Sequence, residues 1–347
     1  MDNISEQLRI VELGDSAITQ YINSRTTFDE LERARRELLE FRGSMFWKQQ
    51  AARPNDYLIR ARSPNAQKSL GPRSPENEAI YAKFSEGKAR AEGRVTDLEK
   101  ELKLCEARNR GYEVGHTPEL IVNILNRLNA AGLGDHLMVI GSNALYAYES
   151  AAFVRIQDVV LQTKDVDLLW DNRKHLRLAV QQELSDKGML GLLQKVDPSF
   201  RLRADQPFTA INARGFEVDL VRQVSRTPKE KADPAMRRLS EVEDDFWASE
   251  IKSAEWLLSA PRFSQMVVSA TGKMARMPTV DPRAFAQAKM YLADKPTRDP
   301  GKKRKDYSQA LVVAQIVMRY LPALEFDALR VFPQAIAQRL RDAGLDL

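Results

Sequence analysis

Two short runs constrain this chain more than anything else in it: Asp165-Val166-Asp167-Leu168-Leu169-Trp170 and Phe216-Glu217-Val218-Asp219-Leu220. Each sets acidic residues on alternate positions of an otherwise apolar segment. In a β-strand, residues i and i+2 share a face, so Asp165 and Asp167 point the same way. In the second run Phe216, Val218 and Leu220 take one face, and Glu217 and Asp219 the other. Two carboxylates side by side repel unless a cation lies between them or one stays protonated. A hard divalent ion such as Mg²⁺ takes oxygen ligands of this kind. If the second run lies beside the first, Asp219 completes a cluster of three carboxylates, a group able to hold metal for in-line phosphoryl chemistry.

A third part lies upstream. The apolar strand LMVIG ends in Gly141-Ser142, and SNALYAYESAA then reads as a helix. A glycine at such a junction lets backbone approach a phosphate closely. The helix N-terminus adds unpaired N–H donors and a positive dipole end, and Ser142 adds a hydroxyl.

Together these parts resemble the nucleotidyltransferase superfamily, the group related to DNA polymerase beta. The wording GSNALYAYE followed by LQTKDVDLLWD looks closest to its bacterial nucleotidyltransferase-like branch, related to toxin-type enzymes. The resemblance implies that Gly141 and Ser142 bind a triphosphate. It implies that Asp165 and Asp167 ligate Mg²⁺ or Mn²⁺, and that Asp219 is the third, catalytic carboxylate. The stretch between Ser142 and Asp165 is longer than the family pattern, and its surplus, SAAFVRIQDVVLQT, is expected as a loop or an added strand. Further on, DPRAFAQAKMYLADKPTRDPGKKRKDYSQA resembles the C-terminal helical region of toxin-like relatives, which makes Lys289, Lys305 and Asp306 candidate nucleotide-binding residues.

Three regions are expected: residues 1–112, helices around a hairpin; 113–226, the transferase core; and 227–347, mostly helical. The fold class is α+β, a nucleotidyltransferase-like mixed sheet flanked by an N-terminal helix–hairpin–helix region and a C-terminal helical bundle. In the first region Ser74 is a plausible N-cap, with Pro75 opening a long charged helix that offers one narrow stripe for docking a partner protein. KHLRLAVQQEL reads as a helix, SQMVVSATGKMARMP as a short mixed segment, and KPTRDPGKKRK as a basic loop.

Composition narrows the classes. Cys105 is the only cysteine, which excludes an internal disulfide and a cysteine-rich zinc site. His116, His136 and His175 are too scattered to pair as zinc ligands and read as ordinary exposed histidines. No run of about 18 apolar residues exists, so no membrane span is expected. The opening MDNISEQLRI lacks a basic n-region and an apolar h-region, and a cytoplasmic location is expected. A net charge of +5 permits phosphate-rich partners without demanding them.

The activity expected is transfer of an NMP from an NTP to an acceptor hydroxyl, with RNA, such as a tRNA 3′ end, as the first acceptor and a protein hydroxyl as the second. The alternatives are a non-catalytic nucleotide- or RNA-binding protein, and an interaction partner in a toxin–antitoxin or defence pair.

Overall fold

The computed structural model describes residues 10–49, 55–63, 66–156, 161, 163–171, 188–225, 227–232, 237–240, 242 and 244–343. The chain forms two compact units, one of Thr19–Tyr112 and one of Met1–Ile18 with Glu113–Leu347. Residues 113–226 and 227–347 therefore fall within one unit. Among the described residues no helix is long and apolar enough to cross a membrane.

The chain enters through strand β1 (Ile10–Glu12) and helix α1 (Asp15–Glu40). Strands β2 (Ser44–Lys48), β3 (Tyr57–Ser63) and β4 (Ala66–Pro72) follow, then helix α2 (Pro75–Gly111). The Ser74 hydroxyl accepts from the Asn77 N–H at 3.3 Å, and Pro75 opens α2, as the sequence suggested. Within the smaller unit α1 and α2 run antiparallel. Ser24 and Gln20 both donate to the buried Asn109 carboxamide (2.7 and 3.1 Å), and Arg94 reaches Glu37 and Glu30 (2.9 and 2.7 Å).

The expected hairpin is a three-stranded antiparallel sheet, in the order β2-β3-β4. Strand β4 ends in Gly71-Pro72 and lies at the sheet's edge. There a terminal proline costs no ladder bond, and the register shift at Leu58/Ile59 takes up the irregularity around Gly71.

In the larger unit, α3 (Glu119–Ala130) precedes β5 (Leu137–Ile140). A tight turn (Gly141–Ala144) leads into α4 (Leu145–Ala152), β6 (Val154–Ile156) and β7 (Asp165–Trp170). The surplus segment supplies an added strand, since β6 pairs antiparallel with β1. The expected helix at residues 174–184 lies outside the described residues. Beyond it come α5 (Gly188–Gln194), β8 (Arg201–Leu202), β9 (Thr209–Ile211) and β10 (Glu217–Gln223). Next are α6 (Pro228–Ala232), β11 (Ser249–Ile251), α7 (Ala254–Ser259), β12 (Arg262–Val268) and β13 (Met274–Val280). Helices α8 (Pro282–Asp294), α9 (Pro300–Tyr320) and α10 (Gln334–Asp342) complete the chain.

One sheet organises this unit, in the order β12-β13-β5-β7-β10-β9-β8, with β11 beside the second half of β10. β5 runs antiparallel to β7, and β7 parallel to β10. The segment expected as short and mixed is the β12–β13 hairpin, turned through Gly272 at φ +88° and joined to β5. The last third is thus not a helical bundle set apart from the core. Its strands finish the sheet, and its helices α8 and α9 pack on each other. The apolar core runs through this unit: Val139, Leu168, Val218, Ala275 and Val313 are all fully enclosed.

The stretch expected as a basic loop is largely helix. The Asp299 carboxylate accepts from the Gly301 and Lys302 N–H groups (2.9 and 3.0 Å), and Pro300 takes the first helical position. These two signals start α9 early enough to include Lys302, Lys303, Arg304 and Lys305. Near the C-terminus the sequence EFDALRVFPQAIAQRLRDAG suggests one helix, but the chain forms a short turn (Phe326–Ala328) and then α10, which starts directly after Pro333.

Candidate active site

The three aspartates meet at the centre of the sheet. β7 and β10 pair in parallel with Asp167 opposite Asp219 and Asp165 opposite Glu217. β5 approaches from the other side, with Ile140 opposite Asp167. The chain then turns sharply at Gly141, whose φ is +67°. A Cβ on that residue would stand 2.2 Å from Asp167 Oδ2. The glycine is therefore required twice, once for its backbone conformation and once for the carboxylate beside it.

Neighbouring side chains hold the aspartates. The Thr163 hydroxyl donates to Asp165 Oδ1, and the Thr209 hydroxyl donates to Asp219 Oδ1 at 2.5 Å. Asn143 Nδ2 donates to the Asp165 carbonyl at 2.5 Å, tying the Gly-Ser turn to β7. Burial, then the charges on Asp165 and Asp219, push the Asp167 carboxyl up to about 7, against the opposing pull of Lys289 and Lys302. Asp219 is raised too, by burial first, with Asp165 and Glu217 adding and the Thr209 hydrogen bond opposing.

These groups suit a hard divalent cation in donor chemistry, being carboxylate oxygens whose mutual repulsion is felt most strongly by Asp167. They do not form a closed cage: among the described residues, no three His, Cys, Asp or Glu side chains gather closely enough to hold a metal ion. Asp165 and Asp219 are each engaged by a threonine hydroxyl.

Helix α9 brings the cations. Lys302, Lys305, Asp306 and Gln309 recur at helical spacing along one side of it. Asp306 is buried and shared, accepting from Lys289 Nζ at 2.8 Å and from Arg298 at 2.8–2.9 Å. A buried carboxylate with two cationic donors is fully engaged, so its role is to fix Lys289 and Arg298 in place. Burial and the Lys289 ammonium pull the Lys305 amine below its ordinary value, while Asp165, Asp306 and Asp167 oppose the shift. From the same helix the buried Gln309 Nε2 donates to Ser142 Oγ at 2.9 Å.

The structure thus brings together Gly141, Ser142, Asp165, Asp167 and Asp219, with Lys289, Lys305 and Asp306 on the adjoining helices. Lys302 belongs to the basic run Lys302-Lys303-Arg304-Lys305, which the sequence offers as a phosphate contact or a solvated loop. Asn143, Thr163, Thr209, Arg298 and Gln309 escaped the sequence reading, and only Gln309 left a signal, in its spacing from Lys305 and Asp306. Two histidines also differ from expectation. His116 Nε2 meets the buried Glu149 carboxylate at 2.8 Å, and His136 is itself buried; His175 lies outside the described residues.

A family model described as nucleotidyltransferase matches residues 119–331, a span that takes in β5, β7, β10, α8 and α9. No curated protein and no solved structure matches the chain.

Proposed function

Because the chain belongs to the nucleotidyltransferase family, its family match covering more than half of its length, we propose that it moves an NMP from an NTP to a hydroxyl of RNA in a metal-dependent reaction. The observation that carries this reading is the in-register pair Asp167 and Asp219, placed against a glycine whose absent Cβ leaves room over Asp167. Asp165, Asp167 and Asp219 do not gather into a ready-made cage, and would hold Mg²⁺ or Mn²⁺ once their side chains turn towards it. When bound, the ion supplies positive charge to the oxygens of the phosphoryl group.

The remaining work falls to the chain's own residues. The Gly141–Ala144 turn offers backbone N–H groups to phosphate oxygens. Ser142 accepts a hydrogen bond from Gln309, which leaves its own O–H to be donated to the triphosphate. Lys289 and Lys305 offset the charge of the phosphates, with Lys289 kept in place by Asp306. Asp219 would orient the acceptor hydroxyl, and the upward shift of its carboxyl, driven first by burial, favours its taking a proton.

Each labelled NTP is incubated with the protein, Mg²⁺ and total RNA, alongside the double variant Asp165→Ala/Asp167→Ala. Label passes from an NTP to RNA, and the double variant transfers about 10³-fold less or worse. Transfer that survives the double substitution overturns the mechanism. Transfer to protein in place of RNA moves the acceptor to protein hydroxyls.

Gln309→Leu removes the donor that fixes the Ser142 hydroxyl. NTP binding, measured by titration, weakens about tenfold, the equivalent of one ordinary hydrogen bond. Unchanged binding in a folded variant would remove Ser142 from the phosphate site.

A further inference from the structure

One stretch of the chain is strongly basic over some thirty residues. Residues 42–73 hold seven lysines and arginines (Arg42, Lys48, Arg53, Arg60, Arg62, Lys68 and Arg73) and a single acid, Asp56. That segment carries +6, whereas the whole chain carries +5. The rest of the chain sums to −1, a second basic run at residues 295–305 being offset by acids elsewhere.

Some of these cations have structural work. Arg60 donates to the carbonyls of Arg42 and Ser44 (2.7 and 3.1 Å) and lies over the Phe84 ring, 4.3 Å from its centroid. Arg73 pairs with Glu78 at 2.8 Å. Arg42, Lys48, Arg62 and Lys68 are different: all four are exposed, and among the described residues none is in an ion pair. Lys68 also stands opposite Arg60 across β3 and β4, a like-charge pairing that costs stability when nothing offsets it. Charged residues guard sheet edges against aggregation. That explains Lys68 on the edge strand β4; it does not explain Arg62 on the central strand β3, nor the near absence of acids.

We propose that the β2-β3-β4 sheet is an RNA-docking element that holds the phosphate backbone through Arg42, Lys48, Arg62 and Lys68. Lys48 stands opposite Tyr57 and Lys68 opposite Arg60, three residues on, so the two lysines lie on opposite faces and the RNA strand passes round the sheet's edge to reach both. The chemistry is that of a sequence-independent polyanion contact, in which each cation displaces counterions condensed on the strand. Trp47 is not a free stacking platform, since it packs on Tyr81 (5.9 Å between centroids) with Arg73 5.2 Å from its ring. Affinity without base readout is the expected outcome. The choice of RNA over other polyanions rests on the proposed transfer to RNA; the surface itself does not.

The test measures RNA binding by fluorescence anisotropy across a salt series, with no NTP or metal added. The full chain is compared with Lys48→Gln/Arg62→Gln/Lys68→Gln, and with the same three sites changed to Glu. The Asp165→Ala/Asp167→Ala protein serves as a parallel background, so that binding is read independently of transfer. Neutralisation weakens binding about tenfold or more and lowers the slope of log K against log salt by about 2, near 0.7 for each phosphate contact to a single strand. Charge reversal weakens it further. Equal RNA binding and equal slope in folded variants overturn the proposal, as do tighter binding to DNA of the same length or to anionic vesicles. Absence of transfer by the parent protein, with its RNA binding intact, counts against the catalytic reading alone.

Discussion

Replacing Asp167 by asparagine raises the melting temperature of the metal-free protein at pH 8 and lowers nucleotidyl transfer about 10³-fold. Both results have one origin. The Asp167 carboxyl is pushed up to about 7 by burial and by the charges of Asp165 and Asp219, from an ordinary value of 3.8. The folded protein therefore binds this proton more tightly than the unfolded chain does. A carboxyl raised in this way costs stability as pH climbs from about 4 to about 7, and the cost stays constant above that range. A shift of about three units corresponds to roughly 4 kcal/mol as an upper limit. Asparagine keeps the shape and removes the charge, so a gain of about 2 kcal/mol is expected. That is several degrees for a unit of this size.

The comparison is made by thermal melting in EDTA. The gap between variant and parent narrows as pH falls from about 7 to about 4 and closes below that, where the parent's carboxyl becomes protonated in both states. Mg²⁺ at pH 8 narrows the gap too, because it stabilises the parent more than the variant. An asparagine variant that melts lower at pH 8, or that still transfers label, would show Asp167 to be an ordinary structural carboxylate.

Gly141→Ala is expected to damage both stability and activity. At φ +67° a Cβ costs about 1–2 kcal/mol from local backbone strain alone. The same Cβ would also fall 2.2 Å from Asp167 Oδ2, so the carboxylate must move. A displacement of about 1 Å at a reacting centre costs about 10²-fold in rate. Gly215→Ala separates the two effects. Its φ is +76°, and nothing lies within 4 Å of the Cβ position. It pays the backbone cost, and its transfer rate per folded molecule stays near that of the parent. Equal transfer rates for the two variants would mean that the contact with Asp167 has no catalytic consequence.

What could be read in the sequence follows the range over which each interaction acts. Asp165 and Asp167 declare themselves because a strand's period of two is local. Ser74 and Pro75 mark the start of α2 for the same reason. The pairing of Asp219 with Asp167 spans some fifty residues, and no local pattern fixes its register. The Gln309–Ser142 bond joins residues 167 apart and was invisible. Some local signals misled. The polar run after Asp299 looked like a loop because its charges masked a capped helix. β12 and β13 were missed as sheet members because their partner β5 lies far upstream.

The position of α9 makes it a ruler. Lys302, Lys305, Asp306 and Gln309 are spaced by helix pitch, and seven residues rise about 10 Å along the axis. Substituting the residues between them leaves that scale intact. Inserting or deleting a single residue there rotates every later group by about 100°. Gln309 would then turn away from Ser142, and Asp306 from Lys289, with hardly any change in composition or charge. This stretch should tolerate much variation in letters and almost none in length.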